Sequence, residues 1–136
     1  MSNGSSYKAM DWAWNGVADY GISPTQKLVL LNICGRVDQL FSSFPSVARM
    51  SRETGLNRAT VYRALSELEL CELLVIAERT RPNGSRASSR YYVNHPEAPH
   101  IVGDMTAFED DPVRYDELRA AVARSIGRRE SVDNHG

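Results

Sequence analysis

Two short amphipathic patterns, close together in residues 46–68, constrain the fold more than any other part of the chain. Ser46 follows a proline and is typical of a residue that caps the start of a helix. Gly55 predicts the end of that helix, because glycine adopts the left-handed backbone most easily. Asn57 is predicted to cap a second helix, whose inward stripe has helical spacing: Val61, Leu65 and Leu68. The pattern therefore predicts two helices that cross at a tight turn.

After the second helix the period changes from helical to alternating. Residues 73–78 and 90–94 are rich in β-branched and aromatic side chains, as strands are. Between them lies the pair Asn83-Gly84, which is favoured in tight hairpin turns. We therefore expect a β-hairpin directly after the two helices.

A further helix is predicted upstream of this pair. Ser23 and Gln26 have the spacing of a capping box, and the helix should reach about residue 37 with apolar residues around most of its circumference. Residues 1–9 are small and polar and are predicted to be disordered or loosely held. We expect the apolar side chains of the flanking segments to pack onto the core: Trp12, Trp14, Val17, Tyr20, Leu40, Phe41 and Phe44.

Residues 23–95 resemble the winged helix-turn-helix domains of bacterial and phage regulators and replication proteins. The resemblance rests on Pro45-Ser46, on Gly55, and on the pattern Thr-Val-Tyr-Arg-Ala-Leu at residues 60–65. It implies a mainly α fold with a β-hairpin wing, followed here by a C-terminal helix. The glycine that often ends the recognition helix in this family is Cys71 or Glu72 here, so that junction is expected to differ.

The chain is accordingly divided into four parts. Residues 1–22 form an N-terminal segment, and residues 23–95 form the winged helix-turn-helix domain. Residues 96–110 form an irregular linker. Residues 111–136 form a C-terminal helix and tail, with the helix running from the cap Asp111 to about residue 128.

A recognition helix presents its first turns to base edges, so the candidate DNA contacts lie there and on the flanking elements. Arginine can bond guanine in bidentate fashion, and asparagine can do the same for adenine. A helix start such as Ser46 suits a phosphate, and arginines of the wing suit the DNA backbone. The candidates are Ser46, Asn57, Arg58, Ala59, Thr60, Tyr62 and Arg63, with Arg79, Arg81, Arg86 and Arg90 on the wing.

Each candidate also has a purely structural interpretation. The arginines could be solvated surface charges, Tyr62 could pack against the wing, and the capping role could occupy the side chain of Asn57. The net charge of −1 does not decide between these interpretations. Residues 45–103 carry eight Arg against six Glu, whereas residues 104–136 carry five Arg against eight acids, so the basic excess lies in the helix-turn-helix region.

Other kinds of chemistry have no pattern to support them. The three His residues are scattered, and the sequence predicts no metal site, cofactor, small-molecule ligand or catalytic residue. No apolar run approaches the ~20 residues that span a bilayer, and no signal peptide is predicted. Cys34 and Cys71 are expected to be reduced core residues, which favours the cytoplasm, with nucleoid association when DNA is bound.

The sequence thus predicts specific binding of double-stranded DNA, for transcriptional regulation in a bacterium, phage or mobile element. One alternative is an accessory protein of a replication origin or of recombination. Another is a winged helix that binds other proteins and no DNA.

The C-terminal helix carries a narrow apolar stripe, Leu118, Val122 and Ile126, at four-residue spacing. This stripe predicts a homodimer, in which two copies would read two half-sites. In the alternative, it packs within the chain against the first helix or against Trp12 and Trp14.

Overall fold

A computed structural model describes residues 4–135 of the protein. Residues 12–16 continue α1 as a π-helical turn, and residues 18–20 and 105–108 form 3-10 turns. The helices and strands among the described residues are α1 (Gly4–Asp11), α2 (Pro24–Cys34), β1 (Ser42–Ser43), α3 (Val47–Thr54), α4 (Arg58–Leu70), β2 (Leu74–Thr80), β3 (Arg86–Val93), α5 (Pro99–Val102) and α6 (Pro112–His135).

One face of a small antiparallel sheet, in the order β1-β3-β2, packs against the helix-turn-helix. The capping box that starts α2 is confirmed, since the Ser23 hydroxyl accepts from the Gln26 N–H at 3.1 Å and the Gln26 side chain accepts from Ser23 N–H at 2.9 Å. The main core contains fully buried side chains from α2, α3, α4 and the sheet, among them Leu30, Ile33, Met50, Val61, Leu68 and Leu74.

The other face of the sheet is covered by α6. A second apolar cluster of the protein lies between them and joins Val75, Ala77 and Tyr92 of the sheet to Phe108, Leu118 and Ala121. Arg114 of α6 fastens this layer, because its Nε donates to the Tyr92 hydroxyl at 2.8 Å and its Nη2 lies 2.8 Å from an Asp38 carboxylate oxygen. The result is a winged helix-turn-helix with a C-terminal helix packed on the back of the sheet, and the predicted fold class is confirmed.

The end of α4 is also joined to α6. Glu69 is buried in α4, where its carboxylate accepts from the Ile76 N–H at 3.0 Å and forms an ion pair with Arg128. Glu72 follows the helix with φ of 64°, so a glutamate occupies the left-handed position that glycine usually takes. The carboxylate of Glu72 pairs with Arg129 at 3.0 Å.

Several expectations for the N-terminal segment and for where helices end are wrong. Residues 4–9 are helical and Ala9 is fully buried, because small residues let α1 approach the core closely; residues 1–3 lie outside the described residues. The first predicted helix, α2, ends at Cys34 instead of near residue 37, and α6 continues past residue 128 to His135. The predicted cap Asp111 is confirmed by a 3.0 Å bond from the Arg114 N–H to its carboxylate.

Two loops are more ordered than the sequence predicted. Segment 96–110 contains α5 and a 3-10 turn, and buries Phe108 in the second cluster. Within the loop 38–45, residues Ser42–Ser43 form the edge strand β1, and Phe41 is buried. Phe44 does not dock as expected, because its side chain remains 54% exposed. Trp14 is also exposed, with the Lys27 ammonium 5.2 Å from its ring centre.

Candidate nucleic-acid interface

Two side-chain caps start the helices α3 and α4, and one glycine forms the turn between them. The Ser46 hydroxyl accepts from the Arg49 N–H at 3.0 Å, and the Asn57 carboxamide oxygen accepts from the Thr60 N–H at 2.8 Å. Gly55 has φ of 80°, a conformation that ends α3 and redirects the chain toward α4. The three local signals of the sequence therefore act as predicted, and the caps use the hydroxyl of Ser46 and one amide oxygen of Asn57.

The outer face of α4 is polar and open to solvent. Arg58, Ala59, Tyr62 and Arg63 are exposed, and Tyr62 has 61% of its surface accessible. Thr60 is half-buried at the edge of this face. Among the described residues, neither Arg58 nor Arg63 has an ion-pair partner at 4 Å or less. Both guanidinium groups can therefore reach toward a ligand without breaking an ion pair within the protein.

A groove of about 470 Å³ separates α4 from the β2–β3 hairpin, which we call the wing. It brings together five of the predicted DNA-binding residues: Ser46, Arg58, Tyr62, Arg81 and Arg86. We call it the helix–wing groove. The predicted residues Asn57, Ala59, Thr60 and Arg63 lie on α4 or at its start but do not line this groove.

The wing is held in shape by its own turn. The Arg81 N–H donates to the Ser85 carbonyl at 2.8 Å, and Gly84 has φ of 88°, as the Asn-Gly pair predicted. A guanidinium nitrogen of Arg81 donates to the Arg86 carbonyl at 2.6 Å, and Arg86 pairs with Glu78 at 2.5 Å. Since both members of that pair are exposed, the pair adds little stability and can exchange for a phosphate.

Arg79 and Arg90 do not join the other two wing arginines. The guanidinium carbon of each lies 4.9 Å from the ring centre of Phe44. The side chain of Arg90 is only 15% exposed, and burial, followed by the nearby charge of Arg114, lowers its pKa. A shift in strand register between Ala77 and Arg79 separates Arg90 from Arg86 and Ser88, so strand alternation alone could not have distinguished Arg90 from the groove residues.

Sequence reasoning missed the serines of the wing. Ser88 and Ser89 of β3 line the helix–wing groove beside Arg58 and Tyr62. Their hydroxyl groups suit phosphate oxygens. The only available signal was their position in the strand that follows the hairpin turn, and serine in such a strand is uninformative by itself.

The apolar stripe predicted for dimerisation is partly buried inside the monomer. Leu118 is 1% exposed and packs against the sheet, Val122 is half-buried, and Ile126 is 44% exposed. The stripe docks on the back of the sheet, and neither on the first predicted helix nor on the Trp residues as the alternative proposed. A homodimer through its exposed part stays a prediction.

Residues 4–135 offer neither a metal site nor a membrane span. No group of three or more His, Cys, Asp or Glu in that part of the chain could hold a metal ion. No helix there is long and apolar enough to cross a membrane. Cys34 and Cys71 are both free thiols, and burial raises the pKa of Cys34 to about 12.

Residues 20–74 match the family model described as a helix-turn-helix domain. The match covers α2, α3 and α4 and ends at the first residue of β2, so the wing and α6 lie outside it. No curated protein and no solved structure matches the chain. The resemblance inferred from the sequence is confirmed, since this segment is similar to helix-turn-helix domains, which suggest DNA binding.

Proposed function

We propose that the protein binds specific sequences in double-stranded DNA and regulates transcription in a bacterium, phage or other mobile element. The helix–wing groove carries this proposal, because it gathers Arg58, Arg81 and Arg86 beside the exposed face of α4. In a winged helix-turn-helix, α4 enters the major groove and the wing follows the adjacent backbone. In this geometry the arginines of α4 and the arginines of the wing contact different parts of the DNA.

The exposed face of α4 reads bases. Arg58 and Arg63 donate to guanine, while Ala59 and the methyl of Thr60 contact thymine methyl groups. Asn57 has its oxygen engaged as a cap but retains its amide N–H groups for an acceptor on a base or phosphate. Tyr62 lies on the same exposed face and lines the helix–wing groove beside Arg58, where its hydroxyl suits the DNA backbone.

The wing and the start of α3 hold the backbone. Arg81, Arg86 and the helix start at Ser46 line the groove beside α4, where their donors suit the phosphate oxygens of the backbone. They therefore contribute affinity for all sequences. A protein with this role works on the nucleoid, in the cytoplasm, and a homodimer would read two half-sites.

The first experiment is a mobility-shift titration of the full chain against random-sequence duplex at low salt. Binding that weakens steeply as salt rises supports the proposal, whereas no shift would favour a protein-interaction module. A genome-wide map of binding sites then tests the regulatory role. Sites at promoters support transcriptional regulation, and sites confined to an origin or an attachment site would contradict it in favour of a replication or recombination role.

A further inference from the structure

Positive charge is concentrated on a second surface, around β1. Five arginines from five different parts of the chain surround this short strand, and we call them the β1 arginine cluster: Arg36, Arg49, Arg79, Arg90 and Arg114. Two carboxylates pair with them, Asp38 and Glu53, so that five positive charges face two negative ones, a net of +3. The protein itself leaves this surface uncompensated.

Each carboxylate is already shared between two guanidinium groups. Glu53 accepts from Arg36 at 2.6 Å and from Arg49 at 3.2 Å, and hydrogen bonds from Arg36 and Asn32 lower its pKa to about 2. Asp38 lies 2.8 Å from a nitrogen of Arg114 but 3.9 Å from the nearest nitrogen of Arg90. Both acids are fully used, and Arg90 is paired only loosely.

Donor groups are consequently left over. Nη1 of Arg36 and Nε of Arg90 are buried and have no hydrogen-bond partner among the described residues. A buried polar group without a partner is costly, and a charged one more so. The protein therefore does not satisfy all the donors of these two arginines.

Phe44 holds two of these arginines without using their donors. Its exposed ring lies 4.9 Å from the guanidinium carbons of both Arg79 and Arg90. A guanidinium held against an aromatic ring is oriented by the ring while its N–H groups remain available at its edge. Arg79 gives one of them to the Ser88 carbonyl at 3.0 Å.

The cluster is continuous with the helix–wing groove. A shallow groove of about 220 Å³ is lined by two arginines and one acid, Arg36, Arg49 and Asp38, together with Ser42, Ser43, Phe44 and Pro45. Pro45 also lines the helix–wing groove beside Ser46 and Arg58. A DNA strand that leaves one groove at Pro45 therefore arrives at the other.

From this arrangement we infer that the β1 arginine cluster binds the phosphodiester backbone of the same DNA duplex, next to the segment held in the helix–wing groove. The inference rests on the proposed function and extends its surface. Phosphate oxygens are the acceptors that arginine forks fit best, and the net charge of the cluster suits a polyanion. The contact is independent of base sequence.

The test measures affinity for random-sequence duplex by fluorescence anisotropy at several salt concentrations. In the double variant Arg49→Gln, Arg79→Gln, the slope of log K against log salt is expected to become shallower by about 0.9 for each phosphate group that the variant no longer binds. Arg119→Gln is the matched control, because the Arg119 side chain is exposed on α6 over the ring of Tyr115 and lines neither groove. It should keep the wild-type slope.

A second variant moves the result in the opposite direction. Glu53→Gln removes one of the two carboxylates and frees Arg36 and Arg49, so binding should become tighter and its salt slope steeper. Misfolding cannot produce such a gain.

The role of the cluster and the proposed function can fail separately. A wild-type slope in the double variant and in Glu53→Gln, with weaker binding by Arg58→Gln, would overturn the role of the cluster and leave the proposed function standing. Absence of binding by the wild-type protein would overturn both.

Discussion

Arg58 and Arg63 lie on the same exposed face of α4 and have no ion-pair partner among the described residues. Replacing either one by Ala is expected to weaken binding to the mapped DNA site by roughly 1–3 kcal/mol, the usual value of a bidentate contact to a base. Isothermal titration against that site measures the change, and thermal melting should be unchanged because neither side chain packs in the core. If both replacements leave the affinity at its wild-type value, α4 is not the element that reads the sequence.

Glu72 occupies a left-handed backbone position, which costs a non-glycine residue roughly 1–2 kcal/mol. Glu72→Gly should therefore raise the free energy of unfolding by about 1 kcal/mol in a urea titration, after the greater entropy of glycine in the unfolded chain is allowed for. The Asn94 side chain bonds the carbonyl of Glu72, so that bond survives.

The control for this change is Gly55→Ala. Gly55 has φ of 80° and open space where a Cβ would be placed, so the destabilisation expected for this variant comes from the backbone alone. A lower stability for Glu72→Gly would mean that the ion pair between Glu72 and Arg129 outweighs the strain at this position.

At the scale of elements, the wing is expected to contribute affinity and no sequence discrimination. The double variant Arg81→Ala, Arg86→Ala should weaken binding to specific and random duplexes alike. It should also flatten the slope of log K against log salt by about 0.9 for each phosphate that these arginines neutralise, because both side chains line the helix–wing groove. An unchanged slope would show that the wing does not touch DNA.

The elements that the sequence predicted best are those that begin with a side-chain cap. Ser23, Ser46, Asn57 and Asp111 each bond a backbone N–H three residues later, and a cap is a local signal that can be read without the fold. The strand β1 has two residues, too few for any period, and exists because β3 pairs with it. The starts of these four helices were therefore predictable, whereas the starts of α1 and α5 and the third strand were not.

The residues of the candidate site likewise divide into those that the sequence could predict and those that it could not. Helical spacing was enough to place Arg58, Tyr62 and Arg63 on the outside of α4. It could not show that Arg79 and Arg90 would meet Phe44, because the register of β2 and β3 shifts between Ala77 and Arg79 and the pairing is set by distant contacts. The role of Arg114 was invisible for the same reason, since its partners precede it by more than twenty residues.

For the whole molecule, acid is expected to destabilise the fold. Burial lowers the pKa of His100 from 6.5 to about 4, and burial also lowers the pKa of His95. The unfolded chain takes up these protons at a higher pH than the folded protein does, so the free energy of unfolding falls as the pH drops from about 6.5 toward 4.

Thermal melts at pH 7 and pH 5 measure this effect, and the midpoint should be lower at pH 5. His100→Gln should reduce the difference, because it removes the more strongly shifted group. Identical midpoints for the wild-type protein at the two pH values would contradict the expectation.

The homodimer prediction also belongs to the whole molecule and rests on the exposed end of the apolar stripe. Ile126 lines a groove of about 360 Å³ together with Tyr20 and Ile101, and all three side chains are exposed. Light scattering should give the mass of a dimer for the full chain, and Ile126→Glu should give a monomer with an unchanged melting midpoint. A wild-type monomer at micromolar concentration would rule the dimer out. Removal of α6 is not a usable control, because it would uncover the second apolar cluster.

The packing of α6 on the back of the sheet has a consequence for protein synthesis. The ribosome completes the recognition helix and the wing before it adds Arg114, Leu118 and Arg128, the residues that cover Tyr92 and neutralise Glu69. A nascent or prematurely terminated chain therefore possesses the helix–wing groove but has an uncovered apolar face on the back of the sheet. We expect quality-control proteases to degrade such fragments, so the cell obtains stably folded protein only when translation has reached α6.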